Sequence, residues 1–346
     1  LPSRTVGLSL LPGWFLEALS ITAPLHAAAM LPTLAIWRVT RMIRPKLTLL
    51  DDSLVDRVLD EAYQLLEDPG VRILSDRGLE LLDSAGAPID AATRVASLPP
   101  DLVRRCLETV PRSFYLHNLE GEPVVHYGGD DVHYDPGSTA IEVLDHGSKR
   151  SREPLTRDLV LATRLSDMLP AMDATSTSMI PADVPQAIGD LYRLFLVLLN
   201  SRKPIVTGAF AVDTWFVMYD LLIARAGSAE VLRAKPIAVF DVCPSPPLAW
   251  TAITCENLID CALHGVPAQL VSMPLTGATS PVALIGAVVQ HAAETLSGVA
   301  IHQLAAPGAP IVWGGAPVAF DMRTGNTPLG AIETQMIDAA YTQVGK

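Results

Sequence analysis

The sequence contains little cysteine and no cysteine motif. Its 346 residues include four cysteines, and none of them forms a CxxC pair or the spacing of a metal finger. Cys255 and Cys261 lie six residues apart in a predicted helix, a spacing that does not indicate a disulfide. We therefore predict reduced structural thiols, which are typical of a cytoplasmic protein.

Positive charge is also scarce. The chain has 25 lysines and arginines against 37 aspartates and glutamates, which gives a net charge of −12. This excess of acid argues against a broad nucleic-acid-binding face, and we predict no nucleic-acid partner. The sequence also lacks the GxGxxG and GxxxxGK[ST] motifs, so a nucleotide-binding doubly wound sheet is not favoured.

Charge is nearly absent from residues 274–320, where Glu294 carries the only formal charge. Such a run fits either a membrane span or a strand–helix–strand unit buried inside an α/β domain. Prolines and glycines interrupt the run at residues 274–281 and again at 307–310. The helix between these breaks carries five polar side chains, too many for lipid: Gln290, His291, Glu294, His302 and Gln303. The run therefore predicts a buried core element and no membrane span.

The first 41 residues lack the features of a targeting segment. Residues 8–37 are apolar, but three prolines and one glutamate interrupt them, which suits neither a signal peptide nor a spanning helix. The chain begins with leucine, and its first methionines are Met30 and Met42. We interpret residues 1–41 as a non-native or upstream-read extension, and a weak membrane anchor is the alternative.

Helical and strand patterns divide the rest of the chain into three regions. Apolar residues at helical spacing, with caps before them and glycine or proline after them, predict an N-terminal helical segment over 42–112. Short runs that end in turn residues predict β-hairpins over 113–155. Strands and helices then alternate over 156–346, which predicts βα units and a parallel sheet.

The alternation supplies about six βα units, whereas a closed (β/α)₈ barrel needs eight. The predicted fold class is therefore α/β: a TIM-type (β/α)₈ barrel that is incomplete, with an N-terminal helical segment and a small β-hairpin region. Reacting groups in such barrels lie at the carboxyl ends of the strands and in the loops that follow them.

The loops predicted at these carboxyl ends are rich in Gly, Pro, Ser and Thr, and their ionised residues are Asp241, Asp321 and Arg323. This composition disfavours phosphate clamps and paired-carboxylate catalysis, and it favours a small, weakly polar or cationic ligand. A quaternary ammonium is held by aromatic faces beside a carboxylate. The aromatic residues near these ends are Phe240, Trp250, Trp313 and Phe320.

Two other chemistries are less well supported. A metal site would draw on four residues of the hairpin region, but no ligand spacing supports it: His126, Asp131, His133 and Asp135. A barrel lyase or aldolase would need a lysine at the carboxyl end of a strand. Lys203 and Lys235 both precede predicted strands, which places them at the opposite end.

One block of sequence resembles a known family. The stretch PLTGATSPVALIGAVVQHAAETLSGVAIHQLAAPGAPIVWGG, followed by DMRTGNTPLGAIE, resembles the trimethylamine methyltransferase (MttB) family of corrinoid-dependent methyltransferases. The resemblance extends back through KPIVTG, YDPGS and RPKLTLLDDSLVDRVLDEAYQLLEDPGVRI, so that it covers about residues 42–346. Residues 1–41 have no counterpart in it.

The resemblance implies a TIM barrel that moves a methyl group from a methylated amine to the Co(I) of a separate corrinoid protein. It implies no directly bound cofactor, because the partner carries the corrinoid, and a cytoplasmic role in one-carbon metabolism or methanogenesis. It also implies that members continue past the end of this chain. The late strand that carries pyrrolysine in some members would lie there.

Site residues are carried over by position, and no catalytic residue is assigned. The predicted substrate-binding residues, with the nearby aromatic ones, are Thr276, Gly277, Trp313, Gly314, Gly315, Phe320, Asp321 and Arg323. Gln290 and Glu294 are predicted to lie near the rim or in the core. The substrate stays open between trimethylamine and a quaternary amine such as glycine betaine, as does a homo-oligomeric state. The alternative function is that of a catalytically inactive, truncated family member.

Overall fold

Three amphipathic helices open the part of the chain that the computed structural model describes, residues 46–211 and 213–346. They are α1 (Asp52–Glu67), α2 (Asp76–Ser84) and α3 (Pro100–Thr109), with the short strands β1 (Val71–Ile73), β2 (Ile89–Asp90) and β3 (Val95–Ala96) between them. Asp51 and Ser75 cap α1 and α2 by accepting hydrogen bonds from backbone N–H groups of the first turn. The predicted helices therefore form, and the extension predicted over residues 1–41 lies outside the described residues.

Two hairpins follow the helices. Strand β4 (Phe114–His117) pairs antiparallel with β5 (Pro123–Tyr127), and β6 (Val143–Leu144) pairs antiparallel with β7 (Ser151–Arg152). The stretch 131–139 between them contains no regular strand, although it lies within the β-hairpin region predicted over 113–155. Turn residues are dense there, and they leave too few consecutive extended residues for a ladder.

Strands and helices alternate in the rest of the chain, as the sequence predicts. In chain order the elements are α4 (Thr156–Met168), β8 (Thr175–Ser176), α5 (Gly189–Asn200), β9 (Ile205–Thr207), α6 (Thr214–Ala226), α7 (Ala229–Ala234), β10 (Ala238–Val242), β11 (Ala249–Trp250), α8 (Ala252–His264), β12 (Ala268–Ser272), β13 (Leu275–Thr276), α9 (Leu284–Ala305), β14 (Ile311–Gly315), β15 (Val318–Ala319) and α10 (Ile332–Gly345).

The central feature of this region is a five-stranded sheet with the order β14-β12-β10-β9-β8. Every neighbouring pair in it is parallel, which confirms the predicted parallel α/β arrangement. The sheet is open, because β8 and β14 are its two edges. The predicted TIM barrel is thus not formed as a closed structure within residues 46–211 and 213–346.

The two faces of the sheet are covered by different elements. Alternate residues of a strand point to opposite faces, and on the outer face Ile205, Phe240 and Leu270 enter the main helix-covered core. On the inner face, Val206 and Val239 form a second core with Leu116 and Val125 of the β4–β5 hairpin. The hairpin thereby covers the amino half of the inner face.

Helix α9 is the apolar run that raised the question of a membrane span. Its length and composition satisfy those of a spanning helix, but 83% of its most apolar 18-residue window is buried inside the protein. The helix contacts α1, α3, α8 and α10 as well as the sheet. Its polar residues are buried among these neighbours, so the prediction of a core helix is confirmed.

Candidate functional site

Polar side chains gather on the inner face of the sheet, near the carboxyl end of β10. Asp241 of β10 and Gln269 of β12 are direct partners in the parallel register, so their side chains lie side by side on one face. The Tyr127 hydroxyl of β5 lies 3.5 Å from Oε1 of Gln269. We define Tyr127, Asp135, Asp241 and Gln269 as the inner-face cluster.

Asp241 is the most perturbed member of this cluster. Its Oδ1 atom is buried and has no hydrogen-bond partner among the described residues. Burial, followed by the charge of Asp135, raises the pKa of the Asp241 carboxyl to about 7. A carboxyl with this pKa changes charge near neutral pH, which is a property of functional sites more often than of structural ones.

Asp135 and Tyr127 are the other titratable residues of the inner-face cluster. Asp135 lies at the exposed rim; partial desolvation raises its pKa, while the hydrogen bond that it accepts from the Gly137 N–H, at 2.7 Å, lowers it. Burial and then the charges of Asp135 and Asp241 raise the pKa of Tyr127, so its hydroxyl keeps its proton. Two carboxyls beside an aromatic ring form a setting that attracts a small organic cation.

The loop after β9 brings a second aromatic ring next to Asp241. A Cβ atom on Gly208 would lie 2.8 Å from the Phe210 ring and 3.1 Å from the Asp241 carbonyl oxygen, so both approach this glycine closely. Asp190 accepts hydrogen bonds from the Phe210 N–H at 2.7 Å and from the Ala211 N–H at 2.9 Å. Asp190 also pairs with the buried Arg193 at 2.7 Å. This ion pair holds the Phe210 loop in place.

The predicted site residues after β12 form a neighbouring group. Thr276 of β13 is buried, and its Oγ1 lies 3.4 Å from the Phe320 N–H, which follows β15. Gly277 has a φ of +83°, which the turn after β13 requires. Asp321 accepts hydrogen bonds within its own turn, including one from the Arg323 N–H at 2.9 Å. The Arg323 side chain is 94% exposed, and substrate binding by these residues stays a prediction.

Other predicted residues face the helices. Trp313 donates from Nε1 to the Tyr341 carbonyl oxygen at 3.1 Å and contacts His291 on the helix side of the sheet. Gly314 and Gly315 end β14, and close neighbours fill the space a side chain would need. Of the aromatic residues near the strand ends, Phe240 and Trp250 are fully buried core residues.

Gln290 and Glu294, predicted at the rim or in the core, are buried in α9. Sequence reasoning placed Asp241 at a strand end and considered Asp135 for a metal site only, and it missed Tyr127 and Gln269. Strands β5 and β12 are far apart in the chain, and no local pattern reveals that they meet. The only available signal was the polar Gln269 within a strand that is otherwise apolar.

The residues considered for a metal do not converge. Nδ1 of His126 lies 2.7 Å from Oδ2 of Asp131, while His133 lies beside Asp173 instead, at 3.3 Å. Across residues 46–211 and 213–346, no group of three or more His, Cys, Asp or Glu is arranged to hold a metal.

A cavity of about 450 Å³ lies elsewhere, between α1, α9 and α10. Its wall is mainly aliphatic, including Leu54, Val288 and Ile337, and it lies on the helix side of the sheet. It contains no group of the inner-face cluster. We therefore assign the candidate site to the strand ends and not to this cavity.

Comparison with known proteins adds to this geometry. The family model described as trimethylamine methyltransferase (MTTB) matches residues 23–346. The chain belongs to this family. The match begins inside the segment 1–41, for which the sequence resemblance showed no counterpart.

Individual relatives carry related names. The trimethylamine methyltransferase MttB of Desulfitobacterium hafniense is 27% identical over 82% of this chain and 57% of its own length. The MttB of Methanosarcina thermophila is 28% identical over 82% and 60%. A glycine betaine methyltransferase of Desulfitobacterium hafniense is 24% identical over 87% and 63%. The chain thus spans about three fifths of the length of these relatives.

A solved structure supports the fold. The Methanosarcina barkeri monomethylamine methyltransferase (MtmB) superposes with a TM-score of 0.53 over 86% of this chain and 60% of that chain, at 11% sequence identity. At this identity the likeness concerns the fold alone. The MTTB family chain therefore shares the α/β arrangement of a methylamine methyltransferase.

Proposed function

We propose that this protein is a methyltransferase that moves a methyl group from a methylated amine to the Co(I) of a separate corrinoid protein. The observation that carries the proposal is the inner-face cluster, in which an unpartnered carboxyl lies beside a second carboxyl and an aromatic ring at the strand ends. Family membership supports it, since relatives are named for trimethylamine and glycine betaine. A catalytically inactive member, the alternative, finds no support in these comparisons.

The reaction explains why a cation site is needed. When the carbon–nitrogen bond breaks, its electron pair stays on nitrogen, and the methyl carbon bonds to the reduced cobalt of the partner. Nitrogen leaves as a neutral group only if it is quaternary or protonated beforehand. Asp241 and Asp135 would hold this cation, and the aromatic rings of Tyr127 and Phe210 would exclude water from it. The chain would bind no cofactor of its own in this scheme.

The charges around the cluster bear on the choice of substrate. In the described residues, the ion pairs contain neither Asp135 nor Asp241, and Arg323 extends into solvent. A cation without a carboxylate suits this setting, because the carboxylate of glycine betaine would meet like charge. The guanidinium of Arg193 lies 5.8 Å from the Phe210 ring centroid, but it is already paired with Asp190. Protonated trimethylamine is therefore the first candidate donor, and a quaternary amine such as glycine betaine is the second. We propose a cytoplasmic setting for the reaction.

The test is methylation of free cob(I)alamin with a panel of tertiary and quaternary amines, followed by loss of the Co(I) absorption. We expect turnover with trimethylamine, and a kcat/KM lowered about tenfold or more in Asp241→Asn, since a buried contact to a charged group is worth about 1.5–3 kcal/mol. Asp220→Asn, an exposed change on α6, is the matched control. Absence of turnover with every donor would refute the proposal.

A further inference from the structure

Glu294 is a buried carboxylate that the proposed reaction does not use. It lies in the middle of α9 and is 1% exposed. Its Oε1 accepts hydrogen bonds from the Leu248 N–H at 3.0 Å and from Nε2 of Gln290 at 2.9 Å. Its Oε2 accepts a third from the Ser272 hydroxyl at 2.6 Å. None of the three donors is a backbone N–H group of α9.

Two of these donors lie at or after the carboxyl ends of strands, whereas Gln290 lies one turn earlier on α9. Leu248 ends the loop that follows β10 and Asp241, and Ser272 is the last residue of β12, three positions after Gln269. Gln290 uses its second N–H to bind the Thr279 carbonyl oxygen, at 2.9 Å, in the loop after β13. One carboxylate thus links three consecutive loops at the edge of the sheet where the inner-face cluster lies.

The loop after β10 needs such a support. Leu248 has a φ of +48°, a left-handed conformation that costs a residue with a Cβ about 1–2 kcal/mol. Strained backbone persists only where the surroundings hold it, and the Leu248 N–H is held by Glu294. Burial of the carboxylate itself is costly and raises its pKa, although its three donors lower it in part. An apolar residue would avoid that cost but would leave the loop without an anchor.

We infer that Glu294 is a positioning residue: it fixes the loop after β10 and the end of β12, so that Asp241 and Gln269 stay side by side in the inner-face cluster. Glu294 faces the helix side of the sheet, so it acts through the backbone and does not touch the substrate. Its effects on methyl transfer and on cation binding rest on the proposed function, whereas its effect on the loops does not.

Three variants separate this role from general stability. Glu294→Ala removes the anchor. Glu294→Gln retains it, because the amide oxygen can face Leu248 and Gln290 while the Ser272 hydroxyl turns to accept from the amide N–H. Gln303→Ala is the matched control. Gln303 is equally buried on the same helix, but it binds the Thr109 hydroxyl of α3 together with the Gly308 N–H and the Ala309 carbonyl oxygen before β14, at the opposite end of the sheet.

Amide hydrogen exchange and binding of tetramethylammonium are the two measurements, and neither requires turnover. In Glu294→Ala we expect exchange in residues 245–250 and 272–280 to accelerate about tenfold, and tetramethylammonium to bind about tenfold more weakly, the effect of losing one well-formed buried hydrogen bond. Glu294→Gln should stay within about twofold of the wild type in both. Gln303→Ala should accelerate exchange near residues 303–310 and at the end of α3 near Thr109, which donates to Gln303, and leave the loops at 245–250 and 272–280 unchanged.

Two results would overturn the inference: loop exchange that does not change in Glu294→Ala, or equal acceleration of these loops in Gln303→Ala. If Glu294→Ala does not fold, Ser272→Ala removes a single donor and must accelerate exchange at residues 272–280. Failure of methyl transfer in the wild type, with the expected exchange pattern, would refute the proposed function and leave the positioning role standing.

Discussion

At the scale of single residues, burial strongly changes the acidity of the Asp241 carboxyl. Its pKa is about 7 in the folded chain because burial, and then Asp135, disfavour the anion. In the unfolded chain its pKa is 3.8. The folded state therefore holds a proton that the unfolded state releases between these two values.

This difference predicts how stability depends on pH. The contribution of Asp241 is fully present below pH 3.8 and is lost as the pH rises through about 7. In Asp241→Asn this loss disappears, so at pH 8 the variant should be more stable than the wild type by about 2–4 kcal/mol, since one pKa unit corresponds to about 1.4 kcal/mol. Urea unfolding of both proteins at pH 5 and pH 8 measures this difference in the free energy of unfolding.

The exposed Asp220→Asn change is the control for that experiment, and it should leave the pH dependence of the wild type unaltered. An Asp241→Asn protein that loses stability between pH 5 and pH 8 as steeply as the wild type would contradict the assignment.

Gly315 lies where close contacts leave no room for a side chain. A Cβ atom there would lie 2.2 Å from Nε2 of His291. Burial lowers the pKa of His291 to about 4, so the ring is neutral, and its Nε2 lies 2.9 Å from the Gly314 carbonyl oxygen. Gly315→Ala should therefore cost about 1–3 kcal/mol by overpacking, measured by urea unfolding.

Gly330→Ala is the matched change for this prediction, because nothing lies within 4 Å of the added Cβ atom. It should be neutral or stabilising by up to about 1 kcal/mol. Equal losses at both glycines would show that the His291 contact is not the cause.

At the scale of elements, the β4–β5 hairpin decides which part of the inner face is open. Leu116 is fully buried against the sheet and pairs with Val125, whereas Val124 points outward. The hairpin covers Val206 and Val239 and also supplies Tyr127 to the inner-face cluster. The packing of the hairpin against the sheet therefore also positions part of the candidate site.

We expect Leu116→Ala to lower the free energy of unfolding by about 2–5 kcal/mol, through lost burial and a cavity under the hairpin. Val124→Ala removes an outward side chain of the same hairpin and should change it by less than about 1 kcal/mol. Denaturant unfolding monitored by circular dichroism compares the two. A Leu116→Ala cost no greater than that of Val124→Ala would mean that the hairpin does not pack as described.

At the scale of the whole molecule, the stability of the fold should report occupancy of the site. Tetramethylammonium keeps its charge at every pH, and the cluster gains negative charge as the pH rises through about 7. The pKa values of Tyr127 and Cys243, which face Asp241, are raised far above that range. Asp241 is thus the group of the cluster whose charge changes in that range.

We therefore expect tetramethylammonium to raise the unfolding free energy more at pH 8 than at pH 6. At a concentration of 100 Kd the gain should be about 2.7 kcal/mol, and in Asp241→Asn, with an affinity about tenfold or more weaker, it should fall to about 1.4 kcal/mol or less. Thermal unfolding with and without the cation measures it, and sodium at the same ionic strength is the control. A gain that Asp241→Asn retains in full would place the cation elsewhere.

Much of the architecture could be predicted because it depends on local patterns. The caps at Asp51 and Ser75, the alternation of strands and helices, and the burial of α9 follow from residue types a few positions apart. Prolines and polar side chains within the apolar run were enough to separate a core helix from a membrane span.

The candidate site depended on contacts that no local pattern contains. Tyr127 and Gln269 meet only because the hairpin folds under the sheet, and Asp241 and Gln269 are neighbours only through the strand register. Strands of a parallel sheet are apolar on both faces, so the sequence does not tell which face Trp313 occupies. The sequence alone therefore determined the order of the helices and strands. The tertiary structure decided which face of the sheet each strand residue occupies, and it brought the carboxyls of Asp135 and Asp241 together.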